Sequence, residues 1–511
     1  MAQHVLVDTA GGKVRGITEG GINIFKGIPY GAAPNGAHRF MPPARPAPWS
    51  GVRDALAFGP RAMQSDDAFA LSPELLKLFA TEPLSMSEDC LVLNVWTPAV
   101  NDHRKRPVMF WCHGGAFIAG SGSSGWYDGG NLAAKGDVVV VTINHRLGAF
   151  GYLHLEELGG ADFASSGNAG MLDIVAALEW ARDNIAAFGG DSGNVTIFGE
   201  SGGGAKVSVL MAMPAAHGLF HKAIIQSGPA VQMASREDGA ETAREVLAEL
   251  GLGKERTSEL RTIPAERLLS AQAAVLRKFS VMSFANRRRV GFNPVVDGKH
   301  LPAGPFEPVA PAISAQVPLM IGTNKDEMTL FFGLAPWLDG LDAAAMRDRV
   351  QMMVGDRADH LIEGYTKARP HDSRRDIVLA IATDQSMRIP SLIIADRKVA
   401  QHAAPVFVYM FTWETPALNG VLKSPHALEI PFVFDTVKTS ALCGDAPTRF
   451  ALAERMSRTW IAFARTGDPN NDQIPAWPAY STENRPTMMF DNECRVQNDP
   501  YSAERLVWSS Q

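Results

Sequence analysis

Short apolar runs that recur between helical stretches constrain this chain more than anything else in it. PVMFWC (107–112), VVVVTI (138–143), VTIF (195–198), AIIQ (223–226), PLMIG (318–322) and PVFVYMF (405–411) are each bounded by turn residues. They read as buried strands of a mostly parallel sheet. Parallel neighbours need a long crossover, and one is visible in DIVAALEWARDNIAAFGG, where Ile174, Leu178, Ala181, Ile185 and Phe188 recur at helical spacing before Gly189-Gly190. The fold class expected is therefore α/β, a central sheet flanked by helices. Two regions, roughly 230–290 and 335–400, are Ala-rich, charged and poor in strand signals. They are expected as helical insertions that cap the sheet. With 511 residues, 46% of them hydrophobic, the chain can form one very large domain or several ordinary ones. No repeat or charged linker divides it, and the Pro-rich GAHRFMPPARPAPWSG (36–51) carries too many apolar residues for a tether. A single domain over 1–511 is expected.

Lys plus Arg number 48 against 54 Asp plus Glu, a net charge of −6, and the longest basic run is Arg287-Arg288-Arg289. Clustered positive charge for phosphate is lacking, so no nucleic-acid partner is expected. The first residues, MAQHVLVDTAGGKVRG, lack the basic start and apolar core of a signal peptide, and no stretch approaches the ~20 apolar residues of a membrane span. A cytoplasmic location without membrane attachment is the expectation. Cys90, Cys112, Cys443 and Cys494 have no spacing suited to zinc and are too few for a disulfide framework, so four thiols and no metal are expected.

One of the strand-like runs leads into a point of tight bending. VTIF passes into Gly199-Glu200-Ser201-Gly202-Gly203, followed by the small residues of a helix start. Strand, turn and helix are the setting that makes G-x-S-x-G a nucleophile elbow, with the serine hydroxyl exposed at the sheet's edge. The alternative is a helix N-cap beside a glycine turn. Nearby Gly190-Asp191-Ser192-Gly193 resembles the serine region of trypsin-like proteases but breaks off at Asn194, and Ser192 reads as turn chemistry.

A second glycine cluster favours the elbow. His113-Gly114-Gly115-Ala116-Phe117 follows strand PVMFWC directly. Attack on an acyl carbonyl creates an oxyanion that needs preorganised N–H donors, and Gly115, Ala116 and Gly202 are the candidate donors. A serine also needs a histidine to take its proton and a carboxylate to orient that histidine, in the chain order Ser, acid, His for α/β hydrolases. After PLMIG comes Thr323-Asn324-Lys325-Asp326-Glu327; after PVFVYMF comes Ser424-Pro425-His426-Ala427-Leu428-Glu429. Glu327 and His426 fit those places. Asp326 competes with Glu327 on composition alone, Asp297 less well, and His402 precedes its strand and reads as exposed.

GESGG, EDCLVLNVWTP (88–98), HGGAF, INHRLGAFGYL (143–153), GNAGMLDIVAALEWARDNIAAFGGD (167–191) and HALEIPFVF together resemble the type-B carboxylesterase family, which includes bacterial p-nitrobenzyl esterases and cholinesterases. The likeness runs nearly end to end, from VDTAGGKVRG to PAWPAY. It implies an α/β-hydrolase fold, no cofactor, and hydrolysis of a small-molecule ester through an acyl-enzyme. It also implies Glu327 as the acid, and an ion pair between Arg39 and Glu88. Three departures stand out. Met328 replaces the glycine that usually follows the acid, Gly202 stands where many members have alanine, and no cysteine precedes Cys90 to close the loop bridge of secreted relatives. The loop between Arg61 and Asp89 also lacks the tryptophan that binds quaternary ammonium in cholinesterases, which argues against a choline ester. Small to medium hydrophobic esters are the expected substrates, with Phe117, Met328, Phe331, Phe332 and Trp337 as candidates for the pocket wall. A non-catalytic scaffold, an acyltransferase and a thioesterase are the alternatives, and monomer and dimer both stay open.

Overall fold

The computed structural model describes residues 3–66, 69, 71–79, 84–286 and 290–509. The run Arg287-Arg288-Arg289 lies outside the described residues. The chain divides into two compact units, one made of Met1–Phe69, Thr81–Ile224 and Ala230–Val317, the other of Ala70–Ala80, Ile225–Pro229 and Pro318–Gln511.

The first unit carries β1 (Gln3–Thr9), β2 (Gly12–Glu19), β3 (Ile22–Pro29), β4 (Val52–Asp54), β5 (Val92–Thr97), β6 (Arg106–Cys112), β7 (Val139–Ile143), β8 (Gly190–Glu200) and the start of β9 (Lys222–Gln226). Their order is β1-β2-β3-β5-β7-β6-β8-β9, with β4 beside β2. β1 to β3 and β5 pair antiparallel, as do β5 and β7, whereas β6 is parallel to both β7 and β8. Every residue of β5, β6 and β7 is buried. Strands covered on both faces need continuous apolar, β-branched sequence, which is what VVVTI supplies. A two-stranded parallel pair, β10 (Ala234–Ser235) and β11 (Val295–Val296), completes this unit's strands among the described residues.

The crossover helix spans Ala169–Asn184 and tightens into a 3-10 turn over Ile185–Phe188. Ile174, Leu178, Ala181, Ile185 and Phe188 are all buried, as the spacing requires, and Gly189 ends the turn at φ 76°. Asp173 on this helix takes the Arg146 guanidinium in two hydrogen bonds of 2.8 and 2.6 Å, both side chains being buried. Arg39 grips Glu88 in the same two-pronged way, at 2.7 and 2.5 Å, and donates to the Leu260 and Ile263 carbonyls. These bidentate contacts satisfy buried charge by geometry. The 230–290 stretch is helical, through Arg236–Glu249 and Ala265–Asn286.

In the second unit β12 (Leu319–Asn324), β13 (Val406–Phe411) and β14 (Pro486–Phe490) are parallel, and β15 (Arg495–Asn498) returns antiparallel to β14. Helices Ala343–Val354, Ala358–Ala368, Arg374–Thr383 and Ile389–Val399 fill the 335–400 stretch. The last two are joined by a π-turn at Asp384–Arg388, so the helix runs unbroken through Arg374–Val399.

That helix corrects one expectation. Its most apolar 18 residues have a mean hydropathy of 1.4, long and apolar enough by composition to cross a membrane. The stretch escapes a search for uninterrupted apolar residues because Asp384 and Arg388 interrupt it. Both are buried and pair through bonds of 2.6 and 2.5 Å, and the Tyr365 hydroxyl also donates to Asp384. Trp508 donates to the same hydroxyl at 2.7 Å. Ile377, Val378 and Ile381 pack with Leu361 in a core cluster, so the apolar residues serve the unit's interior.

Removing one partner of a buried pair leaves the other charge uncompensated. Arg388→Met should lower unfolding stability by ~3–5 kcal/mol, measured by urea titration at neutral pH. The double variant Asp384→Asn/Arg388→Met should recover much of that loss.

Candidate active site

β8 ends at Glu200 and a helix begins at Gly202, so Ser201 must turn the chain alone. It does so at φ 57°, ψ −124°. A non-glycine residue there is strained and persists only where its surroundings impose it. The turn is held by crowding: a methyl built on Gly203 would lie 2.0 Å from the Cys112 carbonyl oxygen, and one on Gly202 2.2 Å from that of Ala116. Helix Gly202–Leu210 can therefore approach β6 and its exit loop only with bare Cα atoms. Ser201 occupies the N-cap position, but its side chain makes no capping bond. This separates the elbow from the N-cap alternative. Ser192 lies within β8, near its start, and so in a strand rather than a turn, although the adjacent Asp191 side chain accepts from the Gly193 N–H at 2.9 Å.

The loop after β6 is fixed one peptide plane at a time. In a trans peptide the C=O of one residue and the N–H of the next point opposite ways. Lys206 Nζ donates to the His113 carbonyl at 2.9 Å, His113 Nδ1 contacts the Gly114 carbonyl at 2.8 Å, and the Ala119 N–H donates to the Gly115 carbonyl at 3.0 Å. The second and third contacts set the directions of the Gly115 and Ala116 N–H groups. Gly115 and Ala116 both have positive φ, 91° and 51°. Burial, with Lys206 adding to it, holds the His113 imidazole well below its ordinary pKa, so the ring is neutral and Nδ1 carries its proton toward the carbonyl. The first unit thus brings Ser201, Gly202, Gly115 and Ala116 together.

The second unit brings Glu327 and His426 together. His426 Nδ1 and Glu327 Oε2 are 2.6 Å apart, and both side chains are buried. The Asn324 N–H donates to Glu327 Oε1 at 2.7 Å, so each carboxylate oxygen has a partner. Asp326 instead accepts from the Ser424 N–H and faces Lys325 at 3.5 Å. Geometry separates the adjacent acids that composition could not. His402 is exposed, as expected, and Asp297 Oδ1 accepts the N–H groups of Lys299, His300 and Leu301 as a turn residue.

Glu429 and Asn324 were not singled out from the sequence. Glu429 is buried, and burial followed by the nearby Glu327 charge raises its pKa. Asn324 Nδ2 donates to its Oε2 at 2.8 Å and Gln226 Nε2 to its Oε1 at 3.1 Å. Both amides are held in that sense, Asn324 by the Pro425 carbonyl and Gln226 by the Trp460 indole N–H. The signal was available in HALEIPF, where an acid three residues past the histidine sits in an otherwise apolar stretch.

Of the candidate pocket residues, Phe331 lies against the His426 ring at 5.3 Å between centroids, and Phe117 is buried edge-on to Tyr152. Met328 is buried in the second unit's helical core, and Phe332 and Trp337 pack against it. For metals, His154, Glu156 and Glu157 gather ligand atoms within 4.8 Å of one another. The Arg236 guanidinium reaches both carboxylates, at 3.1 and 2.8 Å, and supplies the positive charge a cation would bring.

The carboxylesterase family model matches residues 3–508. The chain belongs to the carboxylesterase family. This carboxylesterase is 40% identical over 507 residues to the para-nitrobenzyl esterase of Bacillus subtilis (strain 168), covering 98% of each chain. It is 33% identical over 501 residues to the phenmedipham hydrolase of Pseudarthrobacter oxydans, covering 96% of each. A crystal structure of the carboxylesterase of Geobacillus stearothermophilus at pH 6.2 superposes with a TM-score of 0.85 at 41% identity, covering 98% of this chain and 99% of that one. The fold is the α/β-hydrolase fold, a mostly parallel central sheet flanked by helices, and the protein is a carboxylic ester hydrolase.

The missing methyl at Gly202 matters for this carboxylesterase, since its absence lets Ala116 sit closer than a side chain permits. Gly202→Ala should push the loop back by about 1 Å, and a shift of that size at a reacting centre costs on the order of 10²-fold. The expected result is a fall in kcat for p-nitrophenyl butyrate with little change in KM. Unchanged kcat would mean that the loop makes room for the methyl without cost, as it must in the family members that carry alanine there.

Proposed function

We propose that the chain hydrolyses small to medium hydrophobic carboxylic esters through an acyl-enzyme on Ser201. His426 accepts the Ser201 proton as the serine oxygen bonds to the ester carbonyl carbon. The N–H groups of Gly115, Ala116 and Gly202 hold the resulting oxyanion, each worth ~3–4 kcal/mol of barrier where such donors have been removed. The C–O bond to the alcohol then breaks, and the alcohol leaves with the proton from His426. Water repeats the sequence on the acyl-serine and releases the acid. Glu327 stays ionised, fixing the His426 tautomer and balancing the imidazolium.

The observation that carries this reading is the backbone of Ser201. A serine held at φ 57° between strand and helix, with its hydroxyl not spent on capping, is strain retained for chemistry. The buried Glu327–His426 contact supports it. Both units are assigned to one hydrolase domain, because the family model runs through both. Apolar substrates are favoured by Phe331 beside His426 and Phe117 beside the oxyanion loop. One relative is named for p-nitrobenzyl esters, which have an aromatic alcohol. A reducing, cytoplasmic setting is proposed from the four cysteines, all unpaired.

The reading is tested by burst kinetics with p-nitrophenyl acetate and butyrate on wild type and Ser201→Ala. Wild type should release nitrophenol in a fast phase approaching one equivalent per active site, and the variant should show none. A variant that keeps the burst would sink the acyl-serine. Activity should also fall as pH drops, since a protonated His426 cannot accept the serine proton, and a kcat/KM flat from about pH 5 to 8 would count against a histidine base.

A further inference from the structure

Lys206 is a charge where the sequence offers it no obvious company. It stands in GGGAKVSVLMAM, on the helix that leaves the elbow, and is fully buried. An ammonium in such a place is costly unless it is held by hydrogen bonds or paired, and burial lowers its pKa to about 7. A methionine or leucine would fill the same volume without that cost.

The position of its Nζ supplies a reason. It donates to the His113 carbonyl at 2.9 Å and lies 5.6 Å from the centre of the Phe117 ring. His113 and Phe117 are the two ends of the loop that carries Gly115 and Ala116, so one cation touches both. The peptide plane it grips is the first of three, and the planes beyond it are set by the His113 ring and the Ala119 amide. A peptide plane turns about the ψ of its first residue and the φ of its second. If the His113 carbonyl turned, the φ of Gly114 would change, and the next plane, whose carbonyl the imidazole holds, would be displaced with it.

We infer that Lys206 is a positioning residue for the oxyanion hole, anchoring the His113–Phe117 loop from beneath so that the Gly115 and Ala116 N–H groups keep the direction the tetrahedral intermediate requires. The inference rests on the acyl-enzyme reading above and adds to it a residue that touches neither substrate nor the reacting atoms.

The test compares wild type, Lys206→Met and Lys206→Gln in steady-state hydrolysis of p-nitrophenyl butyrate, in inhibition by an alkyl trifluoromethyl ketone, and in thermal melting. The ketone forms a tetrahedral adduct that uses the hole, whereas ground-state ester binding does not depend on it. Loss of a donor outright costs ~10²–10³ in kcat, so a donor kept but misdirected should cost less, about 10- to 100-fold. The expected result for Lys206→Met is a fall in kcat of that size, KM within about twofold, and a ketone Ki weakened by the same factor as kcat/KM. Lys206→Gln keeps a donor without the charge and should fall between. Should the methionine variant fail to fold, the glutamine variant is read by the same criteria. Wild-type kcat and Ki in a folded variant overturn the inference, as does a raised KM with kcat unchanged. Failure of the underlying reading looks different: wild type itself would show no burst, or Ser201→Ala would keep one.

Discussion

Crowding between backbones at the ends of β6 and β8 governs the rest of this site. The helix after Ser201 runs so close to β6 that Gly203 faces the Cys112 carbonyl with no room for a single carbon. That contact forces the turn to be completed in one residue and puts Ser201 in a conformation its side chain disfavours. Packing in the strands below sustains the cost. β6 and β7 are buried along their whole length, so the strand ends are rigid platforms. A more open packing would let Ser201 relax to ordinary helix-start geometry.

Sequence alone carried much of this because the relevant physics is local. The six apolar runs all appear as strands or parts of strands, and the crossover helix stops at the glycine pair. Ser201 and its glycines were legible because close approach and positive φ leave few residue choices. What stayed hidden depends on contacts between residues far apart in the chain. Asp326 and Glu327 differ only in which way their side chains leave the same turn, and His426, ninety-nine residues on from Glu327, decides between them. The antiparallel pairing of β5 was invisible for a related reason. VLNVWT is buried on both faces, so its sequence shows no alternation to read. The apolar stretch of the Arg374–Val399 helix escapes a reading of the sequence because the two charges inside it, Asp384 and Arg388, cancel each other only once the helix has formed.

Three buried arginines in this protein share one pattern. Arg39, Arg146 and Arg388 each meet a carboxylate through two parallel bonds, the arrangement in which a planar guanidinium loses least on leaving water. Lys206 departs from it, bonding a backbone carbonyl, with the buried Glu200 carboxylate near enough to favour its charge. Glu429 departs in the opposite direction, accepting from two neutral amides where a cation would have balanced it. Lys206 lies under the loop of candidate donors and Glu429 beside Glu327, whereas the buried Lys398 and Lys222 also meet neutral oxygens, those of Gln401 and Asn194, so such charges are not confined to the candidate chemistry.

The cysteines have a practical side as well. Cys90 and Cys112 in the first unit and Cys443 in the second are buried, and burial pushes their thiols up, Cys112 and Cys443 to about 12. A thiol that does not ionise does not react, so an alkylating dye offered to the native protein should find them silent. Each would become visible only when the structure around it opens. Because the silent thiols are distributed over both units, the order in which peptides containing positions 90, 112 and 443 acquire label is a clock for local opening, written into the chain without any engineered probe.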